Sequence, residues 1–487
     1  MGGQVLALVA LQSAIAEAQV TTVEELITAV NDGKPGATIT LDQGTFDLVE
    51  PLRLKVDMTL QGAGKGRTIL QSGGTDWLAG PAETGGDGGA NWNAVDCEQY
   101  LLAFEDRATG VTIADLTLRG PDRLGAICAF NPDGLELTGL EIREFLWSGV
   151  RTYGMEDAHI HHNTFVDAGG RVGVTQGATG GALFLTFTRT SDIHDNRFTK
   201  TPEFKSNYFG IKGRQARETR IHHNTIETSF AIEFPFENDE NVEIDHNVLL
   251  GTVSIPKSNG GPVPEGGFTF HLHHNYLNRT YSVEFHRNGV EIDHNLFDFA
   301  LDDDGGNLIS GFANVAAMGS TRMHNNLISN PGRGIYWNDG VYQGFSFFNN
   351  HVRGATTATP RTDGLFGFRV ESDGLATDWS AIEIRDNIIE LTGTPRSLMR
   401  NEASYAAVIE NNALTNLGDT ASYENPSTGA PQGLLEPLRF RLGADEAYLV
   451  DGWNFGRYVE PSETGETGDT AVPSAPTGDT AMPKPTP

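Results

Sequence analysis

The chain has 487 residues, of which 64 are acidic and 34 basic, giving a formal charge of −30. Such a charge repels nucleic acid and anionic membrane surfaces, so neither is expected as a partner, whereas an acidic surface suits solubility and hydrated cations such as calcium. There is ample apolar material for a core, and repetition along most of the length argues for one elongated domain with caps.

Residues 5–16 (VLALVALQSAIA) are apolar, too short to span a bilayer, and run into Ala16-Glu17-Ala18, an A-x-A cleavage pattern. No Lys or Arg precedes them, yet the segment reads as a secretory signal peptide (1–18) cleaved near Gln19. The product is expected to be secreted or held at the cell surface, without a transmembrane segment. Thr22-Val23-Glu24-Glu25 is a capping box, and Val23, Leu26, Ile27 and Val30 share one helical face. This predicts an amphipathic helix from Thr22 to Asn31, stopped by Gly33, inside an N-terminal cap of residues 19–35. Alternating strands with glycine turns follow in ATITLDQGTFDL, LRLKVDMTLQG and TILQSGG. The stretch GAGKGRT at 62–68 lacks phosphate-loop spacing and is expected to be a turn. Cys97 and Cys128 lie about one long coil apart, either paired in an oxidising compartment or left as two buried thiols.

Between residues 160 and 412 a phrase returns: IHHNTF, IHDNRF, IHHNTI, IDHNVL, LHHNYL, IDHNLF, MHNNLI, FFNNHV, IRDNII and IENNAL. An apolar residue, two polar residues and an asparagine mark one corner of a coil, and repetition of this period signals a solenoid, since one turn cannot bury its apolar side alone. Varying intervals between Asn163, Asn196, Asn224, Asn247, Asn275 and Asn295 mean that loops differ while the corner is kept. Stacked buried asparagines bond along the stack and to the turn backbone. The histidines of these phrases (His161, His162, His222, His223, His273, His274) invite a zinc reading, but their register favours a structural role at the corner. The run 302–306 (DDDGG) lacks EF-hand spacing and reads as a solvated loop. The solenoid is thus expected over 36–458, and the Thr/Pro/Gly-rich tail 459–487 as a disordered tether.

Together these features resemble the right-handed parallel β-helix superfamily of pectate lyases, over roughly residues 36–455. The resemblance implies an all-β, single-stranded right-handed parallel β-helix and an activity on polysaccharides. The aspartate-pair and G-H-G signatures of polygalacturonase-like hydrolases are missing, as is the Y-G-F-D-P-H signature of mannuronan C5-epimerases. Phe209-Gly210-Ile211-Lys212 ahead of Ile221-His222-His223-Asn224 is similar to polysaccharide lyase family six, the alginate lyase and chondroitinase B group. That similarity implies Lys212 as the base removing a sugar C5 proton. Where the group has an arginine about one turn later, this chain has Glu233-Phe234-Pro235-Phe236-Glu237, and it offers His286-Arg287-Asn288-Gly289 two turns on.

Strand alternation lists the outward residues, since i and i+2 point the same way. Arg151 and Tyr153, Lys212 and Arg214, Glu233 and Glu237, Glu284 and His286, Tyr336 and Asn338, and Arg369 and Glu371 all fall outside on strands expected to stack into one groove-bearing sheet. Proton abstraction beside a uronate carboxylate needs a cation at that carboxylate, a base at C5 and an acid at the departing O4. Lys212, Arg214, Tyr153 and His286 are the catalytic candidates, with Arg151, Arg287, Tyr336, Asn338 and Arg369 as substrate-binding candidates. Glu233, Glu237, Asp239 and Glu284 either hold calcium or pair with the basic rung. The expectation is a secreted monomeric lyase acting on an anionic, uronate-containing polysaccharide by β-elimination. A C5-epimerase, a hydrolase using Glu233 and Glu284, and a non-catalytic glycan-binding solenoid are the alternatives.

Overall fold

The computed structural model describes most of residues 18–415, with the connecting segments 74–96, 170–179, 204–208, 235–238, 256–267, 279–281, 286–288, 299–307, 313–320, 339–344, 357–363, 370–381, 394–396 and 401–407 and a few single or paired residues left out; beyond 415 it describes strands 438–441 and 447–450. The apolar segment 5–16, the acidic run 302–306 and the tail 459–487 lie outside the described residues. Among the described residues, no helix is long and apolar enough to cross a membrane.

Strands between Ala18 and Thr415 form three all-parallel sheets, here sheet 1 (15 strands), sheet 2 (14) and sheet 3 (13). One coil shows the pattern. Phe209–Arg214 runs in sheet 3, Arg220–His222 in sheet 1 and Thr225–Ile226 in sheet 2, and Phe230–Glu233 then re-enters sheet 3 one coil on. Because side chains alternate with period two, in-register pairing turns each inward position into a continuous apolar column. In sheet 1 that column is Ile193, Ile221, Ile244, Leu272, Ile292 and Met323, all buried. In sheet 2, Phe165 and Phe198 stack ring on ring at 4.6 Å.

The helix spans Val23–Asp32, with both capping-box bonds formed at Thr22 and with Leu26 and Val30 buried against the first coils. Strand Ala18–Val20 precedes it and pairs with Thr38–Leu41 in sheet 1, so the first strand of the solenoid lies ahead of its cap. Gly33 ends the helix at φ −58°, not as a left-handed cap; a Cβ there would meet the Ala29 carbonyl oxygen at 2.6 Å. The glycines of 62–68 do form a turn, and Lys65 Nζ donates to the His162 carbonyl at 2.8 Å. At the other end, the last described coil strand is Ala413–Thr415, and Leu438–Arg441 pairs antiparallel with Ala447–Val450, an arrangement that does not continue a coil.

The corner between sheets 1 and 2 carries the asparagines. Asn224 Nδ2 donates to the carbonyls of Ile193 (2.8 Å) and His222 (2.9 Å) and to Asn247 Oδ1 (3.0 Å). Its own Oδ1 accepts from the Asn196 backbone N–H and from Asn196 Nδ2, both at 3.0 Å. The same link joins each asparagine to the next from Asn163 to Asn412, across sequence separations that run from 20 to 37 residues. Buried Leu116 and Leu140 hold the equivalent position on the two coils before Asn163. The residue just before the asparagine is left-handed on coil after coil: His162, Asp195, His223, His246, His274, His294, Asn325, Asn349, Asp386 and Asn411 have φ between 51° and 58°. His, Asn and Asp tolerate that conformation better than other side chains, which explains their choice there.

Two predictions concern this corner. Asn224→Ala strands the Asn196 N–H and the Ile193 carbonyl in the interior, at about 1–3 kcal/mol each. Urea denaturation should show a loss of about 3 kcal/mol, and a loss below about 1 kcal/mol would deny the ladder its role. His223 faces Asp195, His222, Asp245 and His246, and burial, ahead of repulsion from the two histidines, lowers its pKa from 6.5 to about 4. The folded state therefore keeps it neutral where the unfolded chain would protonate it, so its contribution is present above pH 6.5 and is lost as pH falls towards 4. The urea midpoint should fall over that window and fall less in His223→Asn; equal slopes for the two proteins would contradict the assignment.

Candidate functional site

In sheet 3 the inward column is Ile127, Val150, Leu183, Ile211, Ile232 and Val253, and all six are buried. One residue further along each strand, the outward column reads Cys128, Arg151, Phe184, Lys212, Glu233, Ser254 and Glu284. Tyr153, Thr186 and Arg214 form the neighbouring outward column. The strands expected to carry the groove do share this sheet, with the strands Gly181–Thr186, Thr252–Ile255 and Leu308–Phe312 interleaved between them.

Outward does not mean exposed here. Lys212 is 2% and Arg151 5% exposed. A second apolar cluster of Tyr100, Leu124, Cys128, Trp147 and Phe184 lies on this outer face, outside the main core. Cys97 and Cys128 are joined in a disulfide at its edge, Cα atoms 5.5 Å apart, which settles the choice between a pair and two thiols. The Arg151 guanidinium lies 4.7 Å from the Trp147 ring centre and 5.3 Å from that of Phe184. Lys212 Nζ lies 4.7 Å from the ring centre of Phe209 and 6.0 Å from that of Phe184. Phe184 thus separates two buried cations, and Phe209 stacks on Phe230 at 4.5 Å.

Lys212 Nζ is 2.9 Å from Glu233 Oε2 on the next rung, and the Glu233 side chain keeps 16% exposure. The contact is an ion pair without hydrogen-bond alignment at Oε2. Gly213 holds the strand down between Lys212 and Arg214, because a Cβ there would lie 2.0 Å from Phe234 Cε1. The arrangement is a covered, aromatic-walled site with two cations and one carboxylate. It can neutralise an anionic group, and the low-dielectric surroundings strengthen that attraction.

The other candidates are placed as follows. Half-buried Arg214 lies beside Lys212, while the Tyr153 ring packs on Phe187 (4.9 Å) and Phe130 (6.1 Å). Asp239 is buried and accepts from the Ala216 N–H of the preceding coil at 2.6 Å. Glu284 stands two rungs from Glu233 with Ser254 between, about 9.6 Å at normal strand spacing. Of the proposed calcium set, Glu233 pairs with Lys212 and Asp239 accepts from a backbone amide. Tyr336 is five rungs from Lys212, about 24 Å, while Asn338 and Arg369 are partners on adjacent strands. His286, Arg287, Glu237 and Glu371 lie outside the described residues. Phe184 was not legible as a site residue, because Gly181–Thr186 is apolar at both parities; Trp147 lies just ahead of its strand, and Phe209 shares the parity of inward Ile211.

No protein-family model matches the chain, and no curated protein matches it. Solved structures do. A double-mutant tailspike protein of E. coli bacteriophage HK620 in complex with pentasaccharide aligns at a TM-score of 0.53, with 11% identity over 82% of this chain and 74% of that one. A single-mutant form of the same tailspike, also with pentasaccharide, aligns at 0.51 with 12% identity, over 82% and 73%. DFA-IIIase from Arthrobacter chlorophenolicus A6 without its lid covers 82% of this chain and 99% of its own at a TM-score of 0.45 and 13% identity. With the parallel sheets described above, the tailspike alignments establish a right-handed parallel β-helix; similarity to polysaccharide lyase family six in particular is not among these matches.

Because Lys212 is buried, replacing it does more than remove a surface charge. Lys212→Met leaves Glu233 without its partner and should cost about 3 kcal/mol, most of it recovered in Lys212→Met/Glu233→Gln. Chemical denaturation of the two variants checks this; equal destabilisation of both would show that the pair is not coupled.

Proposed function

We propose that the protein is a secreted enzyme that cleaves an anionic, uronate-containing polysaccharide by β-elimination, using the outer face of sheet 3 as its glycan groove. The observation that carries this reading is the covered set of Arg151, Lys212 and Glu233 among Trp147, Phe184 and Phe209. The tailspike likeness supports glycan binding as a use of this fold, since that protein was captured with a pentasaccharide. The A-x-A pattern and the disulfide support export to an oxidising compartment.

In this reading half-buried Arg214 meets the uronate carboxylate, with buried Arg151 and Lys212 adding to the positive field behind it. Drawing charge off that carboxylate acidifies the C5 hydrogen. Lys212 then removes the C5 proton as the general base, its side chain positioned by the 2.9 Å contact with Glu233. The C4–O4 bond breaks as the C4–C5 double bond forms, and Tyr153 donates a proton to the departing O4. Calcium has no part in these steps, so adding it should leave turnover unchanged.

Incubation with a panel of uronate polysaccharides tests this. Elimination creates an ultraviolet-absorbing unsaturated end for each bond cut, whereas hydrolysis creates only a reducing end and C5 epimerisation only exchanges the C5 hydrogen with solvent. Lys212→Gln, assayed at a temperature where circular dichroism shows it folded, should lose about 100-fold or more in turnover. Undiminished turnover in the folded variant would place the base elsewhere. A polymer retained by the protein and released by salt, without being altered, would replace the enzyme reading with a glycan-binding solenoid.

A further inference from the structure

Sheet 1 presents a chemically different face. One of its outward columns reads Arg220, Glu243, His271, Glu291 and Arg322, and the other His222, Asp245, His273, Asp293 and His324. Within them, one ligand atom each from Glu243, His271 and His273 lies within 4.8 Å of the other two. Glu243 Oε1 is 2.8 Å from His273 Nε2, and Asp293 Oδ2 is 2.6 Å from His271 Nε2. Alternate residues of a strand are spaced about 6.6 Å apart. The rings of His271 and His273 nevertheless approach to 4.1 Å between centres, tipped towards one another.

We propose that Glu243, His271 and His273 bind a divalent transition-metal ion of the zinc class. Two imidazoles with one carboxylate form a nitrogen–oxygen set that suits zinc, whereas calcium takes oxygen ligands throughout. A tetrahedral ion with bonds near 2.0–2.1 Å holds its ligands about 3.4 Å apart. The present imidazole–carboxylate contacts are therefore within a small side-chain adjustment of that geometry, the ion taking the place of the hydrogen between them.

The surroundings are already arranged for it. Arg220 lies 3.9 Å from Glu243 Oε2, leaving Oε1 turned to His273. His273 Nδ1 is 2.9 Å from His274 Nδ1, a partner that fixes the ring when Nε2 binds metal. His274 is itself clamped between His246 and His294, each at 5.0 Å. The Phe268 ring packs edge-on to His271 at 4.9 Å. On the next rungs, Glu291, Asp293 and His324 also approach one another, but that set has a single imidazole, and Arg322 is 3.3 Å from Glu291. The ion would tie together two consecutive coils, that of Glu243 and that of His271 and His273, in a structural role separate from sheet 3.

Protein stripped with a chelator and dialysed into metal-free buffer is titrated with Zn²⁺ and, separately, Co²⁺. The expected result is one tightly held equivalent per chain, with Co²⁺ giving the visible absorption of a tetrahedral site. His271→Ala and His273→Ala should each weaken binding by more than about 100-fold, and Glu243→Gln, which keeps the side-chain shape, by about 10-fold or more. His351→Gln, on sheet 2 where His351 pairs with Glu390 at 2.9 Å, should leave it unchanged. Absence of a tight equivalent, or binding indifferent to all three ligand substitutions, overturns the proposal.

Discussion

Everything in this solenoid depends on the line of buried asparagine amides at the corner between sheets 1 and 2. Each amide satisfies the carbonyl of the preceding coil and the amide of its neighbour at once, so removing one exposes backbone groups on two coils. Because the constraint acts at a single corner, the rest of each coil is free to vary. Separations of 20 residues between Asn275 and Asn295 and of 37 between Asn350 and Asn387 are accommodated without loss of register. The left-handed residue ahead of each asparagine is the local counterpart of that constraint, and it brings histidines to the edge of sheet 1 for conformational reasons before any chemical ones.

Fixed register converts sequence into columns, and the columns give each sheet face its own chemistry. On sheet 3 it places Arg151, Phe184, Lys212 and Glu233 on successive rungs beneath an aromatic covering. On sheet 1 it produces alternating imidazoles and carboxylates, including the parallel stack of His223, His246, His274 and His294 at spacings of 5.0–5.1 Å. Burial, and after it the crowding of like rings at strand spacing, opposes protonation of His223 and His274. The carboxylates interleaved there, Asp245 and Asp293, are held well below their usual range by hydrogen bonds from histidines and, at Asp245, from Arg220, which outweigh their burial.

The corner phrase, the capping box and the strand alternation were legible because each is a local pattern with a local cause. The outward assignments of Arg151, Lys212 and Glu233 follow from period two alone, and the register agrees with them. What escaped was tertiary. Gly-Ala-Leu-Phe-Leu-Thr at 181–186 is apolar at both parities, so nothing marks Phe184 as the outward member. The burial of Lys212 depends on groups from several coils. Asp239 reads as a calcium ligand or an ion-pair partner, and its bond to the Ala216 N–H of the preceding coil depends on how the coils stack. His271 was overlooked for a related reason: within HLHHN, the pair His273-His274 belongs to the repeated phrase and draws attention from the histidine two residues earlier.

The claim on which the functional reading rests is that a uronate carboxylate is received on the outer face of sheet 3, beside Lys212 and Arg214. The most direct measurement is a crystal structure of the folded protein soaked with a uronate oligosaccharide. A sugar carboxylate within hydrogen-bonding distance of Arg214 or Lys212 is the predicted result. An oligosaccharide bound on sheet 1 or sheet 2 with the Lys212–Glu233 pair unoccupied would contradict it.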